Sequence, residues 1–393
     1  MMNTFSGMKS VRRRWTAVIA VGLATFSVVT TEMLPVGLLT SIAETLSITT
    51  GSAGLMISLP ALLAALFAPF VVIASGGIDR RWILCGLLAL LVIANLASAL
   101  APNLILMLAA RVLVGFCMGG IWAIAGGLAS RLVPQNATGL ATSIIFGGVA
   151  AASVLGVPLG AFIGDAIGWR WAFGIMAVFS ALVLVFHLAV IPSLPVTGSA
   201  NISQFITQLG NRKIQTGLFL TLLLVTGHFV AFTFVRPLLI SVSGVDTQWI
   251  GAILFAYGAA GIAGNFLAGI AAARCTTFTL IAIAAGLALT PLLFITAGQS
   301  VTGGAGILIF WGLAYGGLSV GLMTWMMKAA PRALEIAAAL YVGVFNTGIA
   351  LGSWSGGQIV DMLALTDTLW LACGLAAAAL FLAVAAGMNR GDA

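Results

Sequence analysis

Long apolar stretches broken by short polar ones run the whole length of the chain. With charge, proline and polar clusters as boundaries, twelve apolar runs emerge: 15–39, 51–75, 82–100, 103–130, 137–163, 168–191, 214–240, 248–272, 277–297, 303–328, 334–360 and 367–388. At about 1.5 Å rise per residue, about 20 residues cross roughly 30 Å of hydrocarbon, so each run predicts one membrane-spanning helix. The first run, near 25 residues, is too long for a signal-peptide core and is read as an uncleaved membrane helix. The pattern predicts an all-α membrane protein.

One long polar connection interrupts the pattern, Ile191 to Arg212, and its prolines and serines mark a linker. It divides the chain into an N-terminal six-helix bundle (1–191), a cytoplasmic linker (192–213) and a C-terminal six-helix bundle (214–393). The halves repeat one another. Gly115, Gly119, Gly120, Arg131 and Pro134 match Gly312, Gly316, Gly317, Lys328 and Pro331 at an offset of 197. Gly147, Gly156, Gly160 and Asp165 match Gly343, Gly352, Gly356 and Asp361 at an offset of 196. Two pseudo-symmetric bundles of this kind are an architecture of secondary transporters.

Composition supports a lipid-embedded chain: 61% hydrophobic, 6% charged and 48 glycines among 393 residues. A soluble domain carries about 25% charged residues, and small residues let helices approach closely in lipid. The net charge of +7 gains meaning from its placement. With the N-terminus in the cytoplasm, Lys9, Arg12, Arg13, Arg14, Arg80, Arg81, Arg131, Arg212, Lys213, Arg274, Lys328, Arg332 and Arg390 fall inside, and Arg170 and Arg236 outside. That asymmetry predicts a multi-pass protein with both termini cytoplasmic. Cys85, Cys117, Cys275 and Cys373 have no metal or disulfide spacing and read as packing residues.

Arg111 is a single charge inside the run 103–130, and its repeat counterpart is Leu308. An intramembrane cation needs a partner. Glu32, in TFSVVTTEMLPVGLL, is the one acid well inside an apolar run. Residue counting puts Glu32 roughly 10 Å and Arg111 about 12 Å from the same surface. Two readings stand: a proton-responsive pair, since a nearby charge and a dry environment push a carboxyl pKa in opposite directions, or a static pair that specifies packing.

Asp79, Arg80 and Arg81 form a short turn in SGGIDRRW, which also reads as ordinary cytoplasmic charge. Gly156, Gly160 and Gly164 lie four apart around Pro158, and with Gly147 they suit close helix packing, a bend, or both. His228 and Asn346 fall near mid-membrane, where they face a cavity or bond a backbone carbonyl. Trp122, Trp311, Tyr315 and Trp325 either pack or enclose a flat ligand. His228, Asn346, Trp122, Trp311 and Tyr315 are the substrate-binding candidates. Lys9, Lys213 and Lys328 are the only lysines, so there is no phosphate-binding Gly-Lys-Ser/Thr loop. Gly317-Leu-Ser319-Val-Gly321 has a hydrolase pattern, but in a membrane helix. The chain reads as no enzyme, with no metal, cofactor or nucleic-acid partner.

With DRR at Asp79–Arg81, Arg111 followed by Gly115, and the helix-five glycines with Pro158, the chain resembles the major facilitator superfamily, in its drug:proton antiporter branch. TTEMLPVGLL, RVLVGFCMGGIWAIAGGLASRLVP, IPSLP, AFTFVRP and WGLAYGGLSVGLMTWMMK look most like bacterial purine-ribonucleoside and sugar efflux transporters. The resemblance implies the major facilitator fold, Glu32 as the acid that takes the proton, and Arg111 as the helix-four arginine of proton coupling. It makes Asp79 and Arg80 a cytoplasmic latch of the outward-facing state. Ser75 stands where the family has glycine, Val157 where it has the glycine before proline, and AAARC in the second half has no aspartate. The expectation is a monomeric antiporter of the bacterial inner membrane that exports small organic molecules, nucleosides or sugars, against protons. Multidrug efflux and a proton-independent facilitator or importer are the alternatives.

Overall fold

The structure, a computed structural model, describes residues 2–74, 78–134, 137–195, 202–331 and 333–388. Ser75, Arg332 and Arg390 lie outside the described residues, as do the side chains of Lys9, Arg12 and Arg13. In chain order the helices are α1 (Met2–Leu46), α2 (Thr50–Ala74), α3 (Arg80–Ala99), α4 (Leu104–Leu132), α5 (Thr138–Ile167), α6 (Trp169–Val190) and α7 (Ile202–Leu209). They continue as α8 (Arg212–Phe232), α9 (Val235–Ser241), α10 (Thr247–Arg274), α11 (Thr276–Ala297), α12 (Val301–Ala329), α13 (Leu334–Met362) and α14 (Asp367–Met388). Twelve of them are long and apolar enough to cross a membrane. Large apolar side chains such as Ile105, Phe278 and Phe381 stand exposed on the outside of the bundle, as lipid as the solvent requires.

The polar breaks of the sequence act as helix starts. Asp79, Asn103, Asn211 and Ser300 each accept an amide of the following first turn, satisfying donors that have no partner inside the helix. Gly168, at φ +97°, closes α5 and opens α6 in one step, a backbone conformation that residues with a Cβ avoid.

Two expectations are corrected. The first span continues to Leu46 rather than ending near 39, so Glu32 lies farther from the end of its helix than residue counting placed it. The seventh apolar run, 214–240, is two helices with a turn at Thr233–Phe234. Pro237 is the reason: it has no N–H for the Thr233 carbonyl, and α9 starts afresh with the proline in its first turn. The linker contains a short helix, α7.

Packing follows the repeat. In the first half α1 lies on α5, α2 on α4 and α3 on α6; in the second, α8 lies on α13, α10 on α12 and α11 on α14. Glycines at matching positions make the contacts. A Cβ on Gly156 would meet Thr30 of α1 at 3.2 Å, and one on its counterpart Gly352 would meet the Thr226 carbonyl of α8 at 2.5 Å. Gly119 faces Ala64 of α2, and its counterpart Gly316 faces Gly261 of α10. Between the halves α2 packs on α13 and α5 on α10, again an exchange-symmetric pair.

Candidate functional site

Arg111 is fully buried in α4, and the structure does not pair it with Glu32. An ion pair within 4.0 Å is made by Arg236 and Asp165. Arg111 Nη1 donates instead to the Thr31 carbonyl at 2.9 Å and Nη2 to Ser98 Oγ at 3.0 Å. The Phe173 ring covers the guanidinium at 4.8 Å, a cation–π contact. The physical reason lies in α1. Pro35 is four residues past Thr31 and lacks the N–H that would bind the Thr31 carbonyl, so that carbonyl is free for the arginine. Glu32, the next residue, is 3% exposed, and its Oε1 has no hydrogen-bond partner. Carboxylate and guanidinium therefore share a neighbourhood without a bond.

Sequence reasoning missed the polar network behind Arg111. Asn95 Nδ2 donates to Thr31 Oγ1 at 3.1 Å and to Ser180 Oγ at 3.4 Å, and Ser180 and Ser27 hydroxyls meet at 2.8 Å. All four are buried. The signal was present: Asn95 and Ser98 are three apart in an otherwise apolar run, one helix face turned toward Arg111.

The second half holds rings where the first holds charge. His228 of α8 stacks on Tyr315 of α12 (3.6 Å between centroids, planes 12° apart) and on Phe232 (4.7 Å, 23°). Phe232 stacks in turn on Tyr257 of α10 at 4.7 Å. Trp311 Nε1 donates to His228 Nδ1 at 3.0 Å, so this nitrogen is the acceptor and a neutral ring carries its proton on Nε2, which has no partner. His228 thus faces a side chain, not a backbone carbonyl. Asn346 does bond a carbonyl, Nδ2 to Val342 at 2.9 Å, and its Oδ1 is unpartnered. Trp122 is set apart, tilted against Phe146 in the first half.

Of the helix-five positions, Gly160 packs on Leu34, and the Pro158 carbonyl lies 3.4 Å from where a Cβ on Gly251 of α10 would stand. Gly147 does not pack: a Cβ there would meet nothing within 4 Å. The contact belongs to Gly148, whose Cβ would lie 2.0 Å from the Gly22 carbonyl. One residue turns a helix face by about 100°, which pattern alone did not resolve. Cys275 is likewise exposed rather than a packing residue.

The DRR turn holds the start of the linker. Asp79 Oδ1 accepts the Leu194 and Arg81 amides at 2.8 and 2.9 Å, and its Oδ2 accepts the Ser193 hydroxyl. Burial raises the Asp79 carboxyl, but these hydrogen bonds and the Arg81 charge outweigh it and hold the group below its ordinary value. The Arg80 amide donates to the Leu194 carbonyl, Arg81 Nη2 to Leu188 and Arg131 to the Pro195 carbonyl. In the second half, where AAARC has no aspartate, Lys328 bonds the Ala272 and Ala273 carbonyls and Thr276.

Among the described residues, an ion pair and several hydrogen bonds join the halves at the distal side, away from the chain ends. Arg236, freed by the break before α9, reaches into the first half: Nη2 and Nη1 meet the Asp165 carboxylate at 2.5 and 3.3 Å, Nε donates to Thr40 Oγ1 and Nη1 to the Gly37 carbonyl. Asp361, the repeat counterpart of Asp165, receives Thr49 Oγ1 at 2.7 Å and the Gly51 amide at 2.9 Å, and so caps the N-terminus of α2.

Duplicated helical halves around buried polar side chains define a multi-pass membrane transporter. The chain belongs to the Major Facilitator Superfamily, whose family model matches residues 21–353. At 32% identity over 93% of its length it is similar to the purine ribonucleoside efflux pump NepI of Salmonella paratyphi A, covering 92% of that protein. At 32% over 96% of its length it is similar to the transcription regulatory protein OpdE of Pseudomonas aeruginosa, covering 95% of it. Among solved structures, a bacterial homologue of the human lysosomal transporter Spinster, inward-facing and occupied, matches with TM-score 0.78 at 16% identity over 95% of this chain and 96% of that one. The nucleoside transporter NupG, as a point mutant, matches with TM-score 0.74 at 16% identity over 93% of this chain and 99% of the other.

Proposed function

We propose that this transporter is a proton-coupled antiporter of the bacterial cytoplasmic membrane that exports small organic molecules of the purine-nucleoside class by alternating access. One observation carries the coupling: Glu32 is a buried acid with an unpartnered oxygen beside a guanidinium that is anchored elsewhere. A cation held by Thr31 and Ser98 stays in place while the acid gains and loses a proton, and intramembrane acids are functional by default. The substrate class rests on the similarity to NepI and on the ring-lined second half. The bundles 1–191 and 214–393, joined by 192–213, rock against each other with both termini in the cytoplasm. The state described has its distal, outer side joined by Asp165–Arg236 and Asp361–Gly51. Asp79, Arg80 and Arg81 leave the linker to latch the halves in the opposite state. Protonation of Glu32 from outside discharges substrate, and proton release inside resets the carboxylate against Arg111.

The test is flux in proteoliposomes. Glu32→Gln abolishes pH-gradient-driven export and keeps substrate exchange. Full gradient-driven export in that variant, or wild-type flux unchanged when the gradient is collapsed, would overturn proton coupling in favour of a facilitator. A substrate screen in which sugars or cationic drugs, and no nucleosides, are moved would overturn the substrate class.

A further inference from the structure

The four rings Tyr315, His228, Phe232 and Tyr257 form one continuous face-to-face column across three helices of the second half. Its members differ in one respect. His228, Phe232 and Tyr257 are buried, with exposures of 3, 5 and 7%, while Tyr315 at the end of the column is half-buried. Both stacking partners of His228 are already rings, so a ligand cannot stack on the histidine. Tyr315 has one face on His228 at 3.6 Å and meets Phe229 edge-to-face at 6.4 Å.

The column is held rigidly. Trp311 clamps His228 by its indole hydrogen bond, four residues before Tyr315 on the same helix. The close approach of α12 to α10 that brings Tyr257 into line is made by Gly312 and Gly316. Cβ atoms there would lie 2.2 and 1.9 Å from the Tyr257 and Gly261 carbonyls. A flat, preorganised, partly exposed ring at the end of a packed stack is a platform for another flat ring.

We propose that Tyr315, the half-buried end of the column, is the base platform of the transport site: the substrate's heteroaromatic ring stacks on Tyr315 as a fifth member of the column. This deepens the export reading and rests on it for the substrate's entry route. It names the ring, rather than the sugar, as the part the second half recognises. Trp311 and His228 are positioning residues behind the platform, not ligand contacts.

The test is equilibrium binding of radiolabelled adenosine to purified protein in detergent, with adenine and ribose as competitors. No gradient is present, so a failure of proton coupling leaves this measurement untouched. Adenine is expected to displace adenosine and ribose to fail. Tyr315→Phe, which keeps the stack, is expected to bind within about threefold of wild type. Tyr315→Leu is expected to lose roughly ten- to a hundredfold, the range of one base–aromatic stack. Thermal unfolding of both ligand-free variants monitors the fold, and a normal melting temperature for Tyr315→Leu together with lost binding supports the platform. Unchanged binding by Tyr315→Leu, equal loss in Tyr315→Phe, displacement by ribose as effective as by adenine, or no saturable adenosine binding to wild type would each overturn it.

Discussion

Asp165 and Arg236 join the two halves by a two-pronged ion pair, 2.5 Å at its shorter prong, and the repeat copy of Asp165 makes the matching contact in reverse. Asp361 of the second half caps α2 of the first. Each half thus offers the other an aspartate from the distal end of equivalent helices, α5 and α13. The partners differ, a guanidinium in one case and a helix N-terminus in the other, but both offer positive charge to a carboxylate.

These contacts exist in the distally closed state, so weakening them shifts the population toward distal opening. Asp165→Asn removes the charge from a bond of the kind worth about 1.5–3 kcal/mol. A tenfold or greater rise is expected in the maleimide labelling rate of a cysteine placed at the fully buried Ile250, near the distal start of α10, in a background lacking the native cysteines. Asp361→Ala is expected to act in the same direction, by the smaller value of a cap, about 0.5–2 kcal/mol. Labelling that does not respond to either change would remove these residues from the seal.

Arg111 depends on geometry as well as charge, because it divides its donors between a backbone carbonyl on α1 and a hydroxyl on α3 under the Phe173 ring. Arg111→Lys keeps the charge and loses the fork. Pro35→Ala supplies the missing N–H, which competes for the Thr31 carbonyl. Both variants are expected to lose about tenfold in pH-gradient-driven efflux. Pro35→Ala is expected to melt no lower than wild type, since its helix gains a hydrogen bond. Undiminished efflux in both would show that the anchoring of Arg111 is incidental.

Adjacent glycines on α5 give a paired stability test. Gly148→Ala places its Cβ against the immovable Gly22 carbonyl and is expected to destabilise by about 1–3 kcal/mol. Gly147→Ala meets nothing within 4 Å and is expected to fall within about 0.5 kcal/mol of wild type. Melting temperatures in detergent separate them, and equal effects would contradict the packing of α5 on α1.

Twelve spans, the duplicated halves and the unusual arginine were legible in the chain because each is a local property: apolar length, residue spacing, a charge in an apolar run. Even the fate of the Thr31 carbonyl was implicit, since Pro35 stands four residues on. What the sequence did not say is who takes that carbonyl. Residue counting set Glu32 and Arg111 at one depth, which is true of Thr31 and Arg111 by contact, yet depth is one coordinate of three and the guanidinium turned to the neighbour instead.

By itself, then, the sequence determined the membrane class, the number of spans and the repeat, because hydrophobic length and periodicity act through the solvent and need no partner. Tertiary structure alone decided which glycine packs, which rings stack, what Arg111 holds and how Arg236 reaches Asp165 past the break at Pro237. Those outcomes depend on the rotation of one helix against another, where a single residue turns a face by about 100° and a few ångströms separate a bond from none.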